Sequence, residues 1–394
     1  MRALVLSFYY EPDLCAGSFR ATTLVRAMCE RAPAGTQIEV VTTLPNRYHS
    51  YAQPAAELER SDGLEIRRIR LPTHRSDMPG QARAFISFAR GAMHHVAGRN
   101  YDLVVATSSR LMTATLGAWI ARRKQARLYL DVRDIFVDTL PDVLAPGPAW
   151  PVRKLFARLE SWTMQRADRI NLVSRGFEDY FRSRYSDRSL AWFSNGIDEE
   201  FLVSTLSEAY ERPRCGPVTI MYAGNIGQGQ ALHEVLPRLA TALRGRAQFI
   251  VVGDGGRRTA LERAAAGIDN VELRAPVSRP ELLEAYRAAD ILFLHLGAKR
   301  AFEKVLPSKV FEYAALGKPV LAGVAGYAAQ FIRQEVVNAA IFAPGNVAEA
   351  VKGFETLDIV DRPRPEFVAK YSRTNIARAM ADDVFALHRS GATD

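Results

Sequence analysis

The sequence predicts an α/β protein of two Rossmann-like, doubly wound domains facing a central cleft. Three observations carry this. At 394 residues the chain exceeds the size at which one hydrophobic core keeps growing. Short β-branched runs alternate with helical patterns, the mark of parallel sheets covered by helices. That rhythm occurs twice, with a break between.

The first half offers strands at 3–7, 38–42, 64–70, 103–106, 127–131 and 169–173, and helices at 19–30, 81–97 and 153–165. The second restarts with strands at 218–222, 248–252, 271–273, 291–294, 320–322 and 340–342. Its helices are expected at 231–243, 257–265, 280–288 and 308–315, and a terminal helix at 374–388. The break falls at Asn195-Gly196-Ile197-Asp198 and the irregular stretch to Pro217, where Asn-Gly, Pro213, Gly216 and Pro217 disfavour regular structure. Domains are therefore expected at 1–198 and 199–372, with the helix of 373–394 returning toward the first.

Composition is that of a folded protein, 48% apolar and 24% charged. Cys15, Cys29 and Cys215 show no paired spacing, so neither a disulfide framework nor a zinc site is indicated, and a reducing cytosol suits them. Residues 1–10 lack the regions of a signal peptide and read as a buried first strand. The longest apolar stretch, 111–121, is about half of the ~20 residues a bilayer span requires. Net charge is +9, of which +6 lies in residues 1–200. Between Asp102 and Asp131 there is no acid, but there are Arg110, Arg122, Arg123, Lys124 and Arg127. No nucleic-acid motif accompanies them, so an anionic membrane surface or a charged small molecule is the expected partner, beside the plainer reading of a solvated face.

The strongest local signal is Met221-Tyr222-Ala223-Gly224-Asn225-Ile226-Gly227-Gln228-Gly229-Gln230. A buried strand runs into three glycines and then a helix, which suits close approach of backbone amides to an anion such as a diphosphate. One glycine would fit an ordinary turn; three point to a ligand. The segment is neither G-x-G-x-x-G nor a Walker loop, so dinucleotide binding and ATP hydrolysis are poorly supported. Gly253-Asp254-Gly255-Gly256 repeats the strand-to-glycine junction, with a turn capped by Asp254 as the equal alternative. In the first domain the loop Tyr9 to Cys15 is long for its place and leads to Gly17 and Ser18 at a helix start. Pro307-Ser308-Lys309 opens a helix that Gly317 and Pro319 close. Lys309 opposes the helix dipole in the first turn unless it serves an anion, and Glu312 lies one turn on. A Lys309–Glu312 surface salt bridge is the alternative.

These segments, in this order, resemble the retaining glycosyltransferases of family 4, which have the GT-B fold. The similarity spans nearly the whole chain and is strongest to bacterial enzymes of O-antigen and capsule assembly, such as N-acetylfucosamine transferases. The resemblance implies a transferase that moves a sugar, an N-acetylated amino sugar, from a UDP-linked donor to a lipid-linked or polysaccharide acceptor with retention. It implies neither metal nor separate cofactor, and the first domain as the acceptor side.

It also assigns residues. Glu312 would bind the donor ribose; Lys309, Ser308 and the amides of Gly224, Asn225, Ile226 and Gly227 would surround the diphosphate, with Gly253, Asp254 and Gly255 near them. Gly17 and Ser18 would meet it from the first domain, and Val277 would lie beside the base. Asp134 stands where many relatives place a sugar-contacting histidine, with a helix N-cap as the alternative role. Two departures stand out. The family's paired glutamates are seven residues apart, but the first position here is Lys304, with Glu303 one off register. The family's Arg–Lys pair at the glycine loop is Gln228 and Gln230, leaving Lys299, Arg300 and Lys304 as candidates for the missing charge. The rival readings are a nucleotide-sugar 2-epimerase of the same fold, a non-catalytic scaffold in an assembly complex and, third, a dehydrogenase.

Overall fold

The computed structural model describes residues 1–13, 15–46, 54–72, 78–108, 111–138, 149–202, 208–211 and 216–389. Leu14, Arg110, Pro213 and Cys215 lie outside them. The chain divides into two compact units, Met1–Asn195 with Arg373–Asp394, and Gly196–Ser372.

The first unit holds an eight-stranded sheet of β1 (Arg2–Leu6), β2 (Gln37–Thr43), β3 (Leu58–Ser61), β4 (Leu64–Ile69), β5 (Leu103–Thr107), β6 (Arg127–Val132), β7 (Arg169–Leu172) and β8 (Leu190–Ala191). Their order is β3-β4-β2-β1-β5-β6-β7-β8, and every neighbour is parallel except β3 with β4. The polar, exposed β3 and the two-residue β8 gave no hydrophobic pattern, which is why the sequence did not show them. On one face Ala3, Val5, Ile38, Val40, Leu103, Val105 and Tyr129 pack against Leu24, Val25 and Met28 of the helix Ala16–Arg31. The same cluster takes Met380, Ala381, Val384 and Phe385 from the terminal helix Arg373–Arg389. On the opposite face Gly117, in the helix Leu111–Lys124, sits so near β5 that a Cβ would meet Ala106 Cβ at 2.5 Å. The apolar run of 111–121 is thus a sheet-covering helix. No helix among the described residues is long and apolar enough to cross a membrane.

The second unit holds six parallel strands: β9 (Val218–Ala223), β10 (Ala247–Val252), β11 (Val271–Arg274), β12 (Ile291–His295), β13 (Val320–Gly323) and β14 (Ala339–Phe342). Their order is β11-β10-β9-β12-β13-β14. Alternation shows both faces covered. Val218, Ile220, Tyr222, Ile291 and Phe293 enter one core cluster, while Met221, Ala223, Leu292 and Leu294 enter the other. The crossover begins slightly earlier than expected: Ile197 and Asp198 belong to the second unit, where Ile197 bridges Ser372.

Candidate functional site

In the second unit the chain winds outward from β9 in one direction through β10 and β11, and in the other through β12 to β14. At such a switch point the loops leaving the two central strands splay apart, and ligands bind beyond their carboxyl ends. β9 ends at Ala223, just before Gly224, and β12 leads through Arg300–Lys304 to the helix Lys309–Ala315.

Gly224 has φ +130°, and a Cβ there would lie 2.6 Å from both Cε and Nζ of Lys309. Glycine thus lets the lysine ammonium rest on the turn. Lys309 Nζ donates to the Tyr222 hydroxyl at 3.0 Å and lies 4.5 Å from the ring centroid. The buried Tyr222 hydroxyl donates in turn to Asn225 O at 2.6 Å. Tyr222, which the sequence showed only as strand, therefore ties the cation to the glycine turn.

The amides of that turn are engaged elsewhere. Gly224 N–H donates to Val252 O and Ile226 N–H to Asp254 O, each at 2.8 Å, and Gly227 N–H donates to Gln230 Oε1 at 3.2 Å. This corrects the expectation that Gly224, Ile226 and Gly227 offer amides to a diphosphate. Gly253 and Gly255 serve the same zipper: a Cβ at Gly253 would be 1.9 Å from Gly224 O, and one at Gly255 2.6 Å from Ile226 O. Asp254 Oδ1 accepts from Gly255 N–H at 2.7 Å, holding its own turn. The glycines expected to touch a ligand are needed for two backbones to meet.

Gln230 has a comparable part. Its side-chain oxygen also accepts from Asn225 Nδ2 at 2.9 Å, so where the resemblance implied a cation this chain carries a staple. Its carbonyl faces His295 Nδ1 at 2.7 Å, while His295 Nε2 lies 3.0 Å from the donating Gly345 N–H. That pairing makes Nε2 the acceptor and Nδ1 the donor, a neutral imidazole, and burial lowers its pKa accordingly. Phe302, beside Lys304, lies under Gly229. Ser308 precedes the helix without a side-chain capping bond.

The alternative of a Lys309–Glu312 salt bridge gives way to another pairing. Glu312, 9% exposed, has Arg279 Nη1 at 3.6 Å. Arg279 Nη2 donates to Asp198 Oδ2 at 2.6 Å, and the guanidinium lies 5.1 Å from the Phe201 ring centroid. These carboxylates raise the Arg279 pKa against the desolvation that would lower it. Arg279 gave no signal beyond its place in the Ser278–Glu281 capping box, and Asp198 read only as part of a turn. Val277, just before them, packs at the edge of the same core.

In the first unit the winding reverses between β1 and β5. Gly17 lies inside the helix Ala16–Arg31, where a Cβ would meet Arg133 Nη1 at 3.1 Å, and Ser18 is buried beside it. Arg133 follows β6 and donates its amide to Ser108 Oγ at 3.1 Å. Asp134 comes next. Its surface is exposed, yet the surrounding protein withholds enough water to push its pKa up to about 6, against the pull of Arg133. Below it Asp131 accepts two bonds from Arg20, at 2.8 and 2.9 Å, and one from Asn171 at 2.7 Å. That ion pair, both members at most 5% exposed, fixes the strand end from which Arg133 and Asp134 project and lowers the Asp131 pKa against desolvation. Glu39, Glu65 and His95 converge closely enough for a metal ion, but their acceptors meet Arg2, Arg99 and Tyr101. Arg99 is thus spent inside the fold. Arg83, Arg90, Arg122 and Arg123 are exposed, with Trp119 under the Arg123 guanidinium and Ile86 48% exposed.

Comparison with known proteins gives two domain matches: the glycosyl transferase 4-like domain over residues 20–196, and glycosyl transferases group 1 over 217–357. A protein of Escherichia coli (strain K12) with the provisional name colanic acid biosynthesis glycosyl transferase WcaI is 24% identical over 345 residues, 80% of this chain and 82% of its own. Among solved structures, sucrose-phosphate synthase of Thermosynechococcus elongatus superposes with a TM-score of 0.70 at 14% identity, over 99% of this chain and 100% of that one. An E. coli trehalose-6-phosphate protein bound with UDP-2-fluoro glucose gives 0.62 at 12% identity, over 100% and 98%. Identities this low speak to the fold alone.

Proposed function

The chain belongs to the GT-B glycosyltransferases, its halves matching the 4-like and group 1 domains, and from that premise we propose that it transfers a sugar from a UDP-linked donor to a lipid-linked or polysaccharide acceptor of a bacterial surface glycan. The name of the E. coli relative supports the glycan, and the ligand of the E. coli structure supports the nucleotide. The sugar we assign is an N-acetylated amino sugar, transferred with retention and without metal.

One observation carries the chemistry: the Lys309 ammonium, held by Tyr222 over Gly224 at the switch point of the second sheet. Breaking the anomeric C–O bond leaves both electrons, and hence growing charge, on the diphosphate. A cation already in place stabilises that charge without reorganising as the bond breaks. Because three amides of the turn are engaged, more of this work falls to Lys309 than the glycines suggested. On a front-face retaining route the acceptor hydroxyl forms the new bond to the anomeric carbon, and its proton passes to the departing phosphate oxygen. Glu312, one turn beyond Lys309, accepts the ribose hydroxyls. Asp134 is the residue we assign to the sugar.

Thermal shift with UDP, NAD and ATP, each in EDTA, is the test. We expect UDP to raise the melting temperature most, since a ligand at 100 times its Kd adds about 2.7 kcal/mol. Stabilisation by NAD alone, or by UDP only with added divalent metal, would overturn the proposal.

A further inference from the structure

Resting on that nucleotide reading, we propose that Arg279 is a positioning residue for ribose recognition: braced by Asp198, it keeps Glu312 ionised and in place to accept the nucleotide's hydroxyls. Every group in the argument belongs to the second unit.

A carboxylate as enclosed as Glu312 loses hydration, and uncompensated burial favours its neutral form. Tyr313 beside it and Tyr286 packed edge-on to Tyr313 add apolar surface and no counter-charge. A protonated Glu312 would present a hydroxyl and one full acceptor, whereas the carboxylate presents two oxygens that accept only. Vicinal ribose hydroxyls are two donors, so recognition needs the charged form. Arg279 supplies the field that maintains it. At 3.6 Å its Nη1 attracts Glu312 beyond hydrogen-bonding length, whereas the 2.6 Å contact with Asp198 is a charged hydrogen bond. The anchor and the field are thus divided: Asp198 fixes the guanidinium, and the guanidinium biases Glu312.

Further contacts hold the arrangement. Glu200 lies 3.5 Å from Nη2, and Phe201 underlies the guanidinium. The Ser278–Glu281 capping box sets the helix Arg279–Ala288, whose first residue is the arginine. Lysine could keep the charge here but not the fork that reaches Asp198 and Glu312 from different nitrogens.

The experiment measures UDP affinity by titration calorimetry from pH 5 to 8 for wild type, Arg279→Met, Arg279→Lys, Glu312→Gln and the Arg279→Met/Glu312→Gln double variant. Melting temperature is followed in parallel. Arg279→Met is expected to weaken UDP about tenfold at neutral pH, the equivalent of one charge-assisted contact. It should also move the acid limb of binding upward, as Glu312 takes up its proton at higher pH. Arg279→Lys should restore that limb while recovering affinity only in part. In the Glu312→Gln background the loss from Arg279→Met should largely vanish, because the group it positions is gone.

Equal losses in both backgrounds, or an unmoved acid limb, would overturn the inference even where UDP binds the wild type. So would a lowered melting temperature with UDP affinity intact, since that is what a structural arginine would give. Failure of UDP to bind the wild type would instead refute the nucleotide reading, and this inference with it.

Discussion

Replacing Lys309 with methionine separates the electrostatic role of this side chain from its packing. In the resting protein the ammonium makes one hydrogen bond, 3.0 Å to a neutral hydroxyl, and one cation–π contact at 4.5 Å. Contacts of that kind contribute about 0.5–2 kcal/mol, and methionine keeps the stem that covers Tyr222. A stability loss of at most about 2 kcal/mol would lower the melting temperature of the second unit by only several degrees. In the proposed transfer the transition state depends on the charge far more, because a departing diphosphate gains negative charge as the C–O bond lengthens. Losing one preorganised electrostatic contact to such charge costs about 2.7–4 kcal/mol, or 10²–10³ in kcat. Lys309→Met is therefore expected to remain folded, to bind UDP within about an order of magnitude of wild type, and to release UDP from its sugar donor 10²–10³ more slowly. Steady-state UDP release, calorimetry and a melting curve on one preparation measure all three. A kcat within about threefold of wild type would refute the reasoning, as would a loss confined to KM.

Three further outcomes follow from the geometry. Gly253→Ala places a Cβ against backbone that has no room, at φ +148°, so unfolding in urea should show a loss of about 1–3 kcal/mol from strain alone. Gly256→Ala, facing open space, should stay within about 1 kcal/mol, and similar losses in both would disprove the zipper. The His295 pKa is lowered, so the folded protein binds a proton less readily than the unfolded chain; its contribution is present above pH 6.5 and is lost as pH falls below that value. Melting temperature should accordingly fall from pH 6.5 to 5 more steeply in wild type than in His295→Gln, and parallel curves would contradict the neutral-imidazole assignment. We further expect the exposed Arg83, Arg90, Arg122 and Arg123 to bind anionic vesicles at low salt, each contributing about 1 kcal/mol, and to release them at high salt. Equal sedimentation with neutral vesicles would leave these arginines as solvated surface.

Much of the fold was legible because parallel strands buried on both faces are continuous apolar runs, and β9, β10 and β12 carry that signal along most of their length. The doubled rhythm, the glycine turn after β9 and the helix opened by Lys309 were readable for the same reason: each is a local pattern of residue types. Pairings between distant residues were not. That Lys309 meets Tyr222 and Gly224, that Arg279 stands between Asp198 and Glu312, and that Gly253 lies on Gly224 depend on strands far apart in sequence becoming neighbours. The sequence by itself determined the elements and the chemical types gathered at their ends. Only the tertiary structure decided which amides were already engaged and which cation faces which acid, because hydrogen bonds and Coulomb attraction act over a few ångströms of space, whatever the separation along the chain.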